Sequence, residues 1–233
     1  MTKKTLADAV AERGVTRLCH LTPTRNLLQI MGEGGALLCT DDLHLDERRV
    51  FQQNDPLRLD HLTSHICCSV EYPNSWFMSK VAQQDQLFKD WVVLFVSASC
   101  LFRSDTFFCP ANAASHAPKS LGISGFEALY QPTIVGGGGR LWKRSPTHLE
   151  ACPTDNQAEV LVPGRIDAVD IPGMAVRTVA QAKNEVSRMG LLGISEAAIR
   201  RLRIVVAADL YDPNRLASAI RRGSRPEEVE FEW

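Results

Sequence analysis

Asn156-Gln157-Ala158-Glu159-Val160-Leu161-Val162-Pro163-Gly164 is the stretch on which the reading of this chain turns. The apolar run predicts a strand, and Pro163-Gly164 stops it. Gln157 and Glu159 stand two apart at its entrance and so share one face, while Ala158 and Val160 face the core. Taken alone, a Gln-x-Glu pair is ordinarily a solvated strand face. Its weight depends on what surrounds it.

Working outward, the other clear strands are His65 to Tyr72 and Trp91 to Ser99, with shorter ones at Arg17 to Thr22, Arg165 to Ile171 and Arg203 to Ala207. Helical spacing marks Leu6 to Arg13, Arg25 to Glu33, Trp76 to Lys89, Thr178 to Arg188, Ser195 to Arg201 and Pro213 to Arg222. Gly14 and Gly34-Gly35 close the first two of these, as glycines after a helix do. The polar stretch Thr40 to Asp60 reads as a loop long enough to be functional. Strands and helices are not regularly interleaved, which favours an α+β class over a doubly wound sheet. No internal repeat or linker divides the chain, so residues 1–233 are expected to form one domain.

At 233 residues, 45% of them hydrophobic and 23% charged, the composition is globular, and a chain of this length needs neither metal nor disulfide for stability. The most apolar stretch, Trp91 to Ala98, is too short to cross a bilayer, and Asp8 interrupts the N-terminal segment where a signal peptide needs apolar residues. The expectation is a cytoplasmic protein with no membrane partner. Seven cysteines, most of them inside apolar segments, read as reduced core residues. With no Cys-x-x-Cys, and with Cys67 and Cys68 pointing to opposite faces of a strand, no metal site is expected. The net charge of −1 hides an asymmetry: Lys119 to Arg225 carries 15 basic and 10 acidic residues, a balance of +5 that suits a polyanion. Pro226 to Trp233 holds four acids and no base and reads as a disordered tail.

Gly136 to Gly139 is followed by no Gly-Lys-Ser/Thr and opens no Gly-x-Gly-x-x-Gly frame, so it is a weak nucleotide signature. It suits either a hinged lid or a plain connection. No Gly-x-Ser-x-Gly or recognisable cysteine nucleophile selects a hydrolase.

The segments together resemble the DarT family of DNA ADP-ribosyltransferases, the toxins of DarT–DarG toxin-antitoxin pairs. The resemblance rests on His20-x-Thr22 with Asn26 and Gly34-Gly35 beyond it, and on Arg58-Leu59-Asp60 leading to Ser69-Val70-Glu71-Tyr72-Pro73-Asn74. It continues through Pro110-Ala111-Asn112-Ala113-Ala114-Ser115 and the opening stretch Gln157 to Gly164. It implies an ADP-ribosyltransferase fold, two splayed antiparallel-rich sheets around an NAD cleft with flanking helices. It further implies transfer of ADP-ribose to a base in single-stranded DNA, and a macrodomain antitoxin of DarG type as partner. By the same resemblance His20 and Thr22 hold the nicotinamide or adjoining ribose, Asn26 contacts NAD, and Glu159 is catalytic. A functional arginine is also implied; Arg48, Arg49 and Arg58 compete for it, with Arg58 preferred for its place in Arg-Leu-Asp and given both a catalytic and a cofactor-binding role. The strand after it departs from thymidine-modifying members, which leaves the target base open.

The residue types suit that chemistry. Breaking a nicotinamide–ribose bond builds an oxocarbenium-like cation, which a carboxylate at Glu159 stabilises and whose hydroxyls it orients. The same carboxylate can take the proton of an attacking base nitrogen, while Gln157 can hydrogen-bond a base edge. An arginine fork matches a pyrophosphate. Gly136 to Asn156 immediately precedes Gln157, so Arg140, Lys143, Arg144 and His148 are placed to meet nucleic acid, with Trp142 either a stacking surface for a base or ordinary packing. Two alternatives stand beside this reading: the same fold acting on RNA or a protein side chain, and a nucleotide-binding interaction domain without turnover.

Overall fold

The computed structural model describes residues 4–43, 61–84, 90–115 and 117–232. Helix α1 (Leu6–Arg13) starts where the Thr5 side chain accepts from the Asp8 N–H and Asp8 reaches back to the Thr5 N–H, and it ends at Gly14 in the left-handed region. The chain then enters β1 (Arg17–Pro23), which lies between β4 (Trp91–Ser97) and β3 (His65–Val70). On from β3 the sheet continues through β9 (Glu159–Pro163), β5 (Phe107–Cys109) and β6 (Ser120–Leu121). On from β4 it continues through β11 (Gly173–Val176), β12 (Arg203–Val206) and β13 (Val229–Glu230). Two small pairs complete the strands, β2 (Ala36–Leu37) with β10 (Ile166–Asp167) and β7 (Thr133–Val135) with β8 (Leu141–Lys143).

One junction in this sheet shapes the molecule. β1 pairs with β4 along its whole length, from Arg17 opposite Ser97 to Pro23 opposite Trp91, but with β3 only at Leu18–Val70 and Cys19–Ser69. Beyond Cys19 the two strands part, and the sheet opens into two wings joined at a short seam. This is the splayed α+β architecture expected from the sequence. Among the described strands only β11 and β12 run parallel, and α5 (Val179–Leu191) and α6 (Glu196–Arg201) form the crossover between them.

Both faces of the central strands are covered, which is why β4 reads as an unbroken apolar run. On one side Leu18, Ile66, Val92, Leu94, Val96, Val160 and Val162 form the larger core with α2 (Leu27–Met31) and α4 (Gly122–Ala128). On the other, Cys19, Leu21, Val93, Phe95, Ala175 and Val205 pack under α3 (Ser75–Gln84) and α7 (Pro213–Arg221). Phe108, fully buried and edge-on to Phe126, anchors the β5 wing; Phe108→Ala is expected to cost about 3–5 kcal/mol. Cys19, Cys39, Cys68, Cys100, Cys109 and Cys152 are buried residues.

Three expectations need correction, and the choice left open at Gly136 to Gly139 resolves to a plain connection. The helix expected over Arg25 to Glu33 is a 3-10 turn, Thr24–Asn26, followed by the short α2, and it stops at Gly32, where a Cβ would lie 2.6 Å from the Leu28 carbonyl oxygen. Arg165 to Ile171 is strand only at Ile166–Asp167 and then turns. Gly137–Gly139 form the tight turn of the β7–β8 hairpin, with Gly138 and Gly139 at positive φ, so the glycine run closes a ladder instead of hinging a lid. The acidic tail is docked: β13 pairs with β12, and Glu228 meets the Arg17 guanidinium through both carboxylate oxygens. The tail's charges find basic partners far away in sequence.

Candidate active site at the seam

The two motif segments flank β3, with β1 on one edge and β9 on the other. His20 sits on β1 one residue beyond the last β1–β3 pair, and its Nδ1 lies 2.9 Å from the Cys67 carbonyl oxygen on β3. A carbonyl only accepts, so Nδ1 carries a proton and donates. The imidazole bridges the strands where backbone pairing has lapsed, and it is held in one orientation by doing so. Thr22, on the same side of β1, is buried, and its hydroxyl accepts from Nδ2 of the buried Asn26 at 3.1 Å. This fixes the turn that leads from β1 into α2.

Glu159 opens β9, which pairs with β3 on its other edge. Two neighbouring-strand spacings separate β1 from β9, about 10 Å. Strand alternation would send His20 and Glu159 to opposite faces of a continuous sheet, and β1 and β3 stop pairing one residue before His20. The Glu159 carboxylate is half-buried, with Oε2 accepting from the Ala113 N–H at 3.0 Å and Oε1 accepting from Asn112 Nδ2 at 3.4 Å. The Asn112 carbonyl oxygen in turn accepts from the Ala114 N–H at 2.9 Å, and Ser115 Oγ closes onto the Asn112 backbone carbonyl. Two donors thus fix the orientation of the carboxylate.

Gln157 is half-buried in the turn before β9, and Asp155 sets its position: Oδ1 accepts the Gln157 N–H at 2.9 Å and the Asp155 carbonyl accepts the Ala158 N–H at 3.0 Å. Burial pushes the Asp155 carboxyl up to about 6. Asn112, Ala113 and Asp155 were given no role from sequence. Asn112 followed by three small residues, and Asp155 two before Gln157, are Asx-turn patterns that could have found them.

The basic loop is only partly as expected. Arg140 and Lys143 are exposed at the hairpin end, near Gln157 in sequence. Arg144 turns inward instead and donates to the carbonyls of Cys152, Leu149 and Glu150, so it organises the loop. Trp142 is buried on the inner face of the hairpin, opposite Ile134, with the guanidiniums of Arg140 and Arg221 at 4.2 and 5.6 Å from its ring centre. It is packing, not a stacking surface for a base. His148 is also buried, donating from Nε2 to the Pro153 carbonyl. Arg48, Arg49 and Arg58 lie outside the described residues. Among the described residues no group of histidine, cysteine and carboxylate side chains is arranged to hold a metal ion, and no helix is long and apolar enough to cross a membrane.

This architecture is that of the ADP-ribosyltransferases. Thermus sp. 2.9 DarT, solved in complex with NAD+, superposes with a TM-score of 0.57 at 18% identity, over 84% of this chain and 97% of that one. The same Thermus protein in complex with ADP-ribosylated ssDNA gives 0.58 at 16% identity, over 85% and 97%. Thermosipho africanus DarTG in complex with ADP-ribose gives 0.57 at 15% identity, over 84% of this chain and 51% of that one. Comparison with curated protein sequences gives no significant match. The family model described as ssDNA thymidine ADP-ribosyltransferase, DarT, matches residues 19–212, and the chain belongs to that family. It is an ssDNA ADP-ribosyltransferase.

Proposed function

We propose that this chain transfers ADP-ribose from NAD to a thymidine base in single-stranded DNA, with Glu159 as the catalytic carboxylate. The observation that supports the assignment of roles is the pair of donors, Ala113 N–H and Asn112 Nδ2, that hold the Glu159 carboxylate in place. His20, held by the Cys67 carbonyl, orients the nicotinamide ribose, with Thr22 and Asn26 beside it. An imidazole and a carboxylate are residue types that suit a cationic sugar.

The C1′–N bond to nicotinamide breaks, and the nicotinamide leaves with the bonding pair. Glu159 stabilises the positive charge left on the ribose. A base nitrogen, placed by Gln157, bonds to C1′ and passes its proton to Glu159. Arg140 and Lys143 meet the DNA phosphates, and Arg58 remains the preferred arginine for the pyrophosphate. The reading extends to a toxin working in the cytoplasm, countered by a macrodomain antitoxin of DarG type. Incubation with labelled NAD and, separately, single-stranded DNA, duplex DNA, RNA and cell extract tests it; label in the single-stranded DNA alone is expected, and label confined to RNA or protein would refute it.

A further inference from the structure

Residues 213–232 lie beyond the 19–212 match to the family, yet they touch both sides of the site. Asp212 caps α7 by accepting from the N–H groups of Asn214 and Arg215, and the helix buries Leu216, Ala219 and Ile220. Its last carbonyls, which a helix leaves without internal partners, point at the loop that runs to Gln157. The Ile220 carbonyl accepts from the Leu149 N–H at 2.9 Å. The Arg221 carbonyl accepts from two hydroxyls at once, Ser145 Oγ at 2.7 Å and Thr147 Oγ1 at 2.8 Å. Gly223 then crosses the loop at φ +72°, where a Cβ would lie 2.5 Å from the Thr147 carbonyl oxygen, so a side chain there would push the loop away. Past it, Arg225 binds the buried carboxylate of Glu71 at 2.9 Å, and Glu228 binds Arg17, both at the paired end of the β1–β3 seam.

We infer that this C-terminal segment is a brace for the acceptor: α7 holds the loop Ser145–Leu149 against the hairpin while the tail grips the seam, fixing where single-stranded DNA enters relative to Glu159. Ser145, Thr147 and Arg221 are positioning residues in this account. They touch neither reacting group, and their effect passes through the loop to Lys143 and Gln157. The Arg221 guanidinium adds to the same arrangement by lying against Trp142, the residue that locks the inner face of the hairpin. Ser145 and Thr147 have no place in an NAD site on the seam, so loosening them should raise the KM for DNA and leave the affinity for NAD alone. The inference rests on the reading of this loop as the DNA-facing side of the cleft.

The test is the double variant Ser145→Ala/Thr147→Val, with Thr147→Ser as the conservative companion that keeps a hydroxyl. Steady-state transfer to a single-stranded oligonucleotide, NAD affinity by calorimetry and thermal melting are measured on the full chain. Loss of two neutral hydrogen bonds is expected to raise the DNA KM about tenfold, with kcat at saturating DNA, NAD affinity and melting temperature near wild type. Thr147→Ser should restore most of the DNA KM. A double variant with wild-type DNA KM overturns the brace, as does a matching loss of NAD affinity. Absence of any label on single-stranded DNA with the wild-type chain would instead overturn the functional reading itself, so the two failures are distinguishable.

Discussion

The Nδ1 of His20 donates to the carbonyl of Cys67 across the point where β1 and β3 stop pairing. That contact puts a side chain where the next rung of the ladder would have been, and it fixes the orientation of the imidazole. His20→Ala should therefore weaken NAD binding first and catalysis as a consequence. Calorimetry with NAD is the check, and an unchanged affinity would remove His20 from the binding site.

The Asn112 amide does for Glu159 what Cys67 does for His20. Its Nδ2 meets one carboxylate oxygen while its own oxygen, by accepting the Ala114 N–H, turns the Ala113 N–H toward the other. Asn112→Ala should lower kcat about 10–100-fold through misplacement of the carboxylate, with the affinity for NAD little changed. If Asn112→Ala retains wild-type kcat, Glu159 is aimed by something else.

The cations of the basic loop should divide into two kinds. Arg140 and Lys143 are exposed, and Arg140→Ala/Lys143→Ala should weaken single-stranded DNA binding and flatten its log–log salt dependence by about 0.7 per lost contact. Arg144→Ala should instead lower the melting temperature, because three loop carbonyls lose their shared donor. Fluorescence anisotropy at several salt concentrations, beside melting curves, separates the two. A flattened salt slope with Arg144→Ala alone would put that residue on the DNA after all.

Two buried groups of the same loop give opposite dependences on pH. Burial, with the charges of Arg144 and Arg221 adding to it, pulls His148 down to about 4, whereas burial pushes Asp155 up to about 6. For His148 the unfolded chain binds the proton more readily, so its contribution is full above about 6.5 and is lost as pH falls toward 4, roughly 3 kcal/mol in all. For Asp155 the folded chain holds the proton more readily, so its contribution is full below about 3.8 and is lost as pH rises toward 6, again roughly 3 kcal/mol. In the wild type the two slopes offset each other between about pH 4 and 6. His148→Gln should uncover the Asp155 slope, with stability falling as pH rises through that window, and Asp155→Asn should uncover the reverse. Parallel melting curves for wild type and both variants would contradict this assignment.

What the sequence disclosed follows from how local each signal is. β1, β3, β4 and the central part of β9 were legible because short β-branched runs bounded by turn residues need no knowledge of their neighbours. α1 was legible from its helical spacing and from Gly14, signals that act within a turn or two. The face pattern of β9 was only half right: Ala158 and Val160 are buried as expected, but Leu161 is buried too, because β3 and β5 flank the strand and both its faces are covered. The tail was misread because the partners of Glu228 and Glu230, Arg17 and Arg203, lie far off in sequence, and a run of acids looks solvated until those cations are placed beside it. Arg144 was misread, and Trp142 stayed open between stacking and packing, for the same reason: a cation or an indole in a loop reads alike whether it faces solvent or the interior.

The central claim is that Glu159 drives transfer of ADP-ribose from NAD to a thymidine base of single-stranded DNA. Its most direct test is mass spectrometry of oligonucleotides with one thymidine or none after incubation with NAD and either the wild-type chain or Glu159→Gln. The account predicts one added ADP-ribose on the thymidine-bearing strand alone, at least about a thousandfold slower with Glu159→Gln although that variant still binds NAD. Equal modification of the thymidine-free strand, or near-wild-type transfer by Glu159→Gln, would contradict it.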